Sequence, residues 1–133
     1  MQDISNVQNV LLPKVRGFKL ASLNITSLVK HIEELRVFLS NNMVDVLAIN
    51  ETRLDSTISD NEIHVPGYEI VRRDRNPNGR FGGGVCFYIR SCINFSVRHD
   101  LSFEQLENLC ILVNKPRAKP FLIATWYRPP NSP

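Results

Sequence analysis

The chain has 133 residues, of which 43% are apolar and 22% charged, and its formal net charge is +3. This length suits one domain or part of one, and no apolar run reaches the roughly 18 residues that span a bilayer. The mild positive charge permits a nucleic-acid partner without requiring one, because a binding face depends on clustered Lys and Arg.

The N-terminal residues bear on domain organisation, and the cysteines bear on the cellular compartment. Residues 1–16 are polar and weakly patterned, so we expect a leader outside the core, followed by one domain over 17–133. Cys86, Cys92 and Cys110 form no CxxC pair and cannot all be bridged within the chain, which favours an intracellular, reducing compartment. Cys86 and Cys110 lie in apolar runs and are expected to be core thiols.

The first half of the domain predicts a strand, a helix and a second strand. Residues 18–25 alternate in polarity, and residues 44–50 form an apolar run. Between these two strands, apolar residues at helical spacing predict an amphipathic helix. Thr26 or Ser27 is expected to cap its start, and Asn41-Asn42 to end it. Its apolar face comprises Leu28, Ile32, Leu35 and Leu39. Such a crossover favours a parallel strand pair with the helix on one sheet face.

The second half predicts five more strands separated by turn residues. These strands span 69–74, 84–90, 94–98, 109–114 and 121–127. Glycine- and proline-containing segments at 76–79, 82–84 and 115–120 punctuate them, which favours short connections and largely antiparallel pairing. The order of elements predicts an α/β sandwich with a mixed sheet.

Polar residues end the two strands of the predicted parallel pair. Asn24 ends the first strand and Glu51 follows the second, so both are expected at the sheet edge where α/β proteins bind ligands. A carboxylate beside an amide suits a hard divalent cation held against a phosphate oxygen. The alternative is that Glu51 is a solvated residue after a strand and Asn24 a turn former.

Two further groups of residues suit phosphate. Tyr127 ends the last strand and Arg128 follows it, which together offer a hydroxyl donor and a fork of N–H donors; the alternative is a tyrosine at the rim of the core. The segment 71–84 contains four arginines among glycines, Arg72, Arg73, Arg75 and Arg80, and such clustered cations suit a nucleic-acid backbone. A solvated hairpin with charged flanks explains that segment equally well.

Four stretches, in this order, resemble the endonuclease/exonuclease/phosphatase superfamily: LASLNITSL, VDVLAINETRL, RRDRNPNGRFGGGVCFYIR and ATWYRPPNSP. The YRPP ending and the GGGV strand are more particular to the N-terminal endonuclease of non-LTR (LINE-type) retrotransposons. The resemblance implies a four-layer α/β/β/α sandwich with mixed sheets and a Mg²⁺ or Mn²⁺ site between the sheets. The resemblance also implies that DNA is the substrate and that one strand is nicked to prime reverse transcription. It further implies a reverse transcriptase domain in the same polyprotein and action in the nucleus.

The resemblance also assigns roles to individual residues. Glu51 matches the metal-binding glutamate, Asn24 the asparagine that arranges the phosphate and the acidic cluster, and Tyr127 the tyrosine that contacts the scissile phosphate. Related apurinic-site repair enzymes carry an acidic residue two places after the first asparagine. Thr26 stands there in this chain, which favours the retroelement branch.

The family's later motifs, Gly-Asp-Phe-Asn and Ser-Asp-His, do not occur in the sequence. We therefore expect the N-terminal half of such a domain, incomplete at the C-terminus and inactive alone, because the groups that activate water are missing. Two alternatives remain at this point. One is a phosphoesterase of the same superfamily with a small phosphorylated substrate, and the other is a non-catalytic nucleic-acid-binding remnant.

Overall fold

The computed structural model describes residues 4–14, 16–75, 83–103 and 106–127, which form two β-sheets and one α-helix. The helix α1 spans Ile32–Asn41. The strands are β1 (Leu20–Asn24), β2 (Val46–Asn50), β3 (Tyr68–Arg73), β4 (Val85–Arg90), β5 (Asn94–Val97), β6 (Glu107–Asn114) and β7 (Phe121–Tyr127). All seven predicted strands are present, and the predicted fold class of a mixed α/β sandwich is confirmed.

Sheet one has the strand order β1-β2-β4-β3, and sheet two has the order β5-β6-β7. β1 and β2 pair in parallel, as the strand–helix–strand pattern predicts, and every other strand pair in the described residues is antiparallel. The parallel pair requires a crossover connection, which α1 supplies. The C-terminal ends of β1 and β2 therefore lie side by side.

The helix begins one turn later than the sequence predicts. Ser27 has a φ of 101°, and the Leu28 amide donates to the Thr52 carbonyl at 2.9 Å, so the chain near Leu28 is bound to the loop after β2. Because a φ of 101° is not helical, the backbone at Ser27 departs from the helical path, residues 28–31 form a turn, and α1 starts only at Ile32. Its end agrees with the prediction, since the Asn42 amide donates to the Phe38 carbonyl at 3.0 Å.

Two apolar clusters fill the space between the layers. The first lies between α1 and sheet one and contains Leu35, Leu47 and Tyr88. The second lies between the two sheets and contains Phe87 and Ile111. β2 and β4 contribute alternate residues to both clusters, which explains why their sequences read as continuous apolar runs rather than alternating ones.

The N-terminal segment differs from the expected leader outside the core. A 3₁₀ helix at Ile4–Asn9 packs beside α1, and Val7 is buried in the first cluster with Val10 and Leu12 against it. These apolar residues are too few and too irregular to give a periodic signal, yet α1 offers them an apolar surface. The predicted domain boundary at residue 17 remains a prediction.

The expectation that Cys86 and Cys110 are core thiols is confirmed. Cys86 and Cys110 are buried, Cys92 is exposed, and all three are free thiols. In the described ranges, every helix is too short or too polar to cross a bilayer.

Candidate active site

The candidate site lies at the C-terminal edge of the parallel strand pair. Asn24 is the last residue of β1 and stands opposite Asn50, the last residue of β2, so Glu51 emerges beside Asn24. Tyr127, at the end of β7, approaches the same edge from sheet two. The structure thus brings Asn24, Glu51 and Tyr127 together at one edge, while the roles predicted for them remain predictions.

Glu51 is the centre of this cluster. The Tyr127 hydroxyl donates to Glu51 Oε1 at 2.5 Å, and the Asn24 side chain also hydrogen-bonds to the carboxylate. The Thr26 hydroxyl lies 3.3 Å from Glu51 Oε2 and 3.1 Å from Asn24 Oδ1, so it can donate to either oxygen. Three donors from β1, its following loop and β7 therefore converge on one carboxylate.

These contacts shift the pKa values of Glu51 and Tyr127 in opposite directions. The hydrogen bond from Tyr127, aided by Asn24 and Thr26, lowers the pKa of Glu51 below its ordinary value of 4.5. The same bond is the main reason that the pKa of Tyr127 is raised above 10.0. At neutral pH the site accordingly holds an ionised carboxylate and a protonated phenol.

The backbone around the carboxylate is strained. Thr26, Glu51 and Arg53 have φ angles of 49°, 56° and 53°, in the left-handed region that non-glycine residues rarely occupy. Each such residue costs on the order of 1–3 kcal/mol and persists only where its surroundings fix it. Here the Ser27 amide donates to the Glu51 carbonyl at 2.9 Å, which ties the two strand ends together.

A second cluster, which the sequence analysis did not assign to the site, lies beside Tyr127. The Arg75 guanidinium stands over the Tyr127 ring with 5.6 Å from Cζ to the ring centre, and its Nε donates to Glu107 Oε2 at 2.6 Å. Arg75 belongs to the arginine-rich segment noted in the sequence, but Glu107 carries no motif signal. Glu107 lies beside Tyr127 because the two residues are paired across β6 and β7.

Arg72, one of the predicted DNA contacts, is bound within the protein. Its guanidinium donates to the carboxylates of Asp60 and Asp74, at 3.0 and 2.8 Å, and to the carbonyls of Asp55 and Ile58, at 2.8 and 2.7 Å. These bonds hold the loop after Glu51 against β3. A DNA contact by Arg72 remains a prediction.

Arg73 is bound within the protein in the same way. Its Nη1 donates to the Asn108 carbonyl and to Asn108 Oδ1, at 2.8 and 2.7 Å, and its Nη2 donates to the Phe103 carbonyl at 2.6 Å. Arg73 therefore joins sheet one to sheet two, and its predicted DNA contact is likewise untested. The other two predicted phosphate contacts, Arg80 and Arg128, lie outside the described residues.

The oxygen atoms around Glu51 are of the kind that Mg²⁺ and Mn²⁺ prefer, but they are few. An ionised carboxylate is present with a neighbouring amide and hydroxyl, whereas nowhere in the described ranges do three His, Cys, Asp or Glu side chains group as metal ligands. Mg²⁺ commonly keeps several waters and binds one or two carboxylates together with substrate phosphate. The residues present fit a cation held in that way through Glu51.

Two grooves lie away from this cluster. One, of about 880 Å³, is lined by residues of the N-terminal segment, the end of α1 and Arg90; the other, of about 510 Å³, includes Phe18 and Lys115. Neither is lined by Asn24, Glu51 or Tyr127.

Comparison with solved structures shows a likeness in fold. No family model and no curated protein matches the sequence. The crystal structure of the AP endonuclease LMAP from Leishmania major superposes with a TM-score of 0.63 and 18% sequence identity, and the match covers 95% of this chain and 48% of that one. This chain thus spans about half the length of that enzyme, and the likeness shows a shared fold.

Proposed function

We propose that this chain supplies the phosphate-binding side of a metal-dependent site that hydrolyses DNA phosphodiesters. The observation that carries the proposal is the convergence of Tyr127, Asn24 and Thr26 on the Glu51 carboxylate, at the strand edge where α/β sheets bind ligands. The shared fold with an enzyme named an AP endonuclease supports a nuclease over the other phosphoesterases of such folds.

Each residue of the cluster has a distinct role in this proposal. Glu51 holds Mg²⁺ or Mn²⁺, and Asn24 and Tyr127 hold the scissile phosphate by hydrogen bonds. When bound, the cation supplies positive charge that offsets the charge developing on the phosphate and on the leaving oxygen. Because the pKa of Tyr127 is raised, its hydroxyl stays protonated and can donate to a phosphate oxygen.

The more specific proposal is target-site nicking of the retrotransposon type. It rests on the YRPP and GGGV stretches and on Thr26, which stands where the repair enzymes carry an acidic residue. The nicked strand then offers a 3′-hydroxyl to a reverse transcriptase domain of the same polyprotein. An intracellular, nuclear place of action and additional phosphate contacts by Arg72, Arg73, Arg80 and Arg128 belong to this proposal.

Manganese binding tests the role of Glu51 without depending on catalysis. Mn²⁺ is paramagnetic, so we expect it to broaden the amide resonances of Asn24, Thr26 and Glu51 selectively, and Glu51→Gln to abolish that broadening. Glu69→Gln is the matched control, because Glu69 is an exposed carboxylate on β3. Equal broadening around Glu69 and Glu51, or broadening that survives Glu51→Gln, would contradict the assignment.

A plasmid-relaxation assay tests whether this chain acts alone. We expect supercoiled DNA to remain supercoiled in Mg²⁺ or Mn²⁺, because the sequence lacks the later motifs that supply the water-activating groups in the family it resembles. Nicking that disappears in Glu51→Ala would show instead that these 133 residues are a sufficient nuclease.

A further inference from the structure

Beside the hydrogen bond between Tyr127 and Glu51 lies a set of contacts that the proposed function does not use. We call this set, formed by Thr52, Gly84, Glu107 and Arg75, the frame. Gly84 is the residue that closes this frame: its amide donates to Glu107 Oε1 at 2.6 Å, and its carbonyl accepts from the Thr52 amide at 3.2 Å. Thr52 directly follows Glu51. One glycine therefore connects the chain that carries the carboxylate to the glutamate that faces Tyr127.

The same frame holds a cation against the tyrosine ring. Glu107 stands opposite Tyr127 in the β6–β7 register, and its second oxygen accepts from Arg75 Nε at 2.6 Å. Both side chains of this pair are mostly covered, with exposed fractions of 31% for Arg75 and 15% for Glu107. The guanidinium is thereby fixed with its Cζ 5.6 Å from the centre of the Tyr127 ring, within the range of a cation–π interaction.

Two adjacent glycines provide the space that this arrangement needs. A Cβ atom at Gly83 would overlap the Arg75 guanidinium, and one at Gly84 would lie 2.5 Å from Thr52 Oγ1. Both residues also have positive φ angles, 79° and 92°. A side chain at Gly83 would displace Arg75 from the Tyr127 ring. A side chain at Gly84 would push this residue away from Thr52, in the loop that follows Glu51.

We propose that Arg75 is a positioning residue for Tyr127: anchored by Glu107, its guanidinium holds the phenol ring in the orientation that presents its hydroxyl to Glu51 and to an incoming phosphate. The importance of this orientation for phosphate binding rests on the proposed function, whereas the orientation itself does not. Arg75 acts through the ring of Tyr127 and has no phosphate contact of its own in this proposal.

NMR of ring-labelled tyrosine at neutral pH tests the orientation. The Tyr127 ring signals are assigned by their loss in Tyr127→Phe. We expect Arg75→Gln to weaken the nuclear Overhauser effects between the Tyr127 ring protons and the Glu51 side chain, and Arg75→Lys to restore part of them, because a lysine ammonium can also stand over the ring. Arg98→Gln is the matched control, because Arg98 pairs with Asp100 on the surface. Unchanged Overhauser effects in Arg75→Gln would overturn the proposal.

A double-mutant cycle on DNA binding separates this proposal from the proposed function. The probe is a short fluorescein-labelled DNA duplex with Ca²⁺ in place of Mg²⁺. We expect Arg75→Gln to weaken binding by about two- to fivefold, the range of an exposed cation–π interaction, and to have almost no effect in a Tyr127→Phe background. Equal losses in both backgrounds would show a direct phosphate contact and overturn the positioning role. If the wild type binds no duplex, the proposed function fails, and the measurement of the Tyr127 ring orientation alone decides the role of Arg75.

Discussion

The two sheets differ in how many of their faces are covered. In sheet one, β2 sends Leu47 and Ile49 toward α1 and sends Val46 and Ala48 toward sheet two, so both of its faces are buried. Sheet two is covered on one face only in the described residues: Leu122 and Trp126 on β7 are 50% and 64% exposed, while Ile123 between them is buried.

This difference determines how the candidate site is supported. Glu51 follows a strand that is fixed from both sides, whereas Tyr127 ends an edge strand that packs on one side. The carboxylate is therefore held by the core and the phenol mainly by its neighbours on β6 and by Arg75. The Glu51 carboxylate is thus supported by both apolar clusters, through β2, and the Tyr127 ring packs only against the second cluster.

The largest expected effect tests whether sheet two has one buried face. Ile111 on β6 is fully buried between the sheets, so Ile111→Ala should lower the free energy of unfolding by about 2–5 kcal/mol. Leu122→Ala, a truncation of similar size on the open face, should change it by about 0.5 kcal/mol or less. Urea denaturation of both variants makes the comparison, and equal losses would show that the outer face is buried as well.

A smaller effect tests the layer that covers sheet one. Asn42 is buried; its Oδ1 accepts from the Leu12 amide at 2.6 Å, and its Nδ2 donates to the carbonyls of Val10 and Phe38, at 2.8 and 2.9 Å. Asn42→Ala removes the partner of the Leu12 amide and of the Val10 carbonyl, while the Phe38 carbonyl keeps the Asn42 amide, and should cost about 2 kcal/mol.

Hydrogen exchange shows where that loss occurs. In Asn42→Ala the Leu12 amide should exchange faster, because the N-terminal segment loses its tie to α1, while amides of sheet two should change little. Asn41→Ala is the control, since Asn41 is the exposed neighbouring residue. Unchanged protection at Leu12 would show that apolar packing of Val7, rather than Asn42, holds the segment.

The strands and the parallel pair could be predicted because their signals are local. The apolar run before Glu51 and the helical spacing between the two strands are sufficient to place Asn24 and Glu51 at one edge. The role of the N-terminal segment could not be predicted, because Val7 is buried only where α1 offers it a surface. Likewise, the delayed start of α1 follows from the positive φ of Ser27, which no periodicity encodes.

The arginines show the same limit. In the sequence, Arg72, Arg73 and Arg75 stand in the same basic segment, 71–84, and nothing in that segment distinguishes their partners. In the structure their partners separate them, because Arg72 is bound to acidic side chains, Arg73 to Asn108 and Arg75 to Glu107 beside Tyr127. Those partners lie on different strands and loops, so only the tertiary fold distinguishes the three residues.

Titration of the Glu51 carboxylate by ¹³C NMR tests the central cluster most directly. Because the Tyr127 hydroxyl donates to the ionised form, we expect the pKa of Glu51 below 4.5 in the wild type and closer to that ordinary value in Tyr127→Phe. Protonation of Glu51 at still lower pH should change the Tyr127 ring resonances at the same midpoint. An ordinary Glu51 titration that Tyr127→Phe does not alter would contradict the account, since the carboxylate and the phenol would then not meet at this edge.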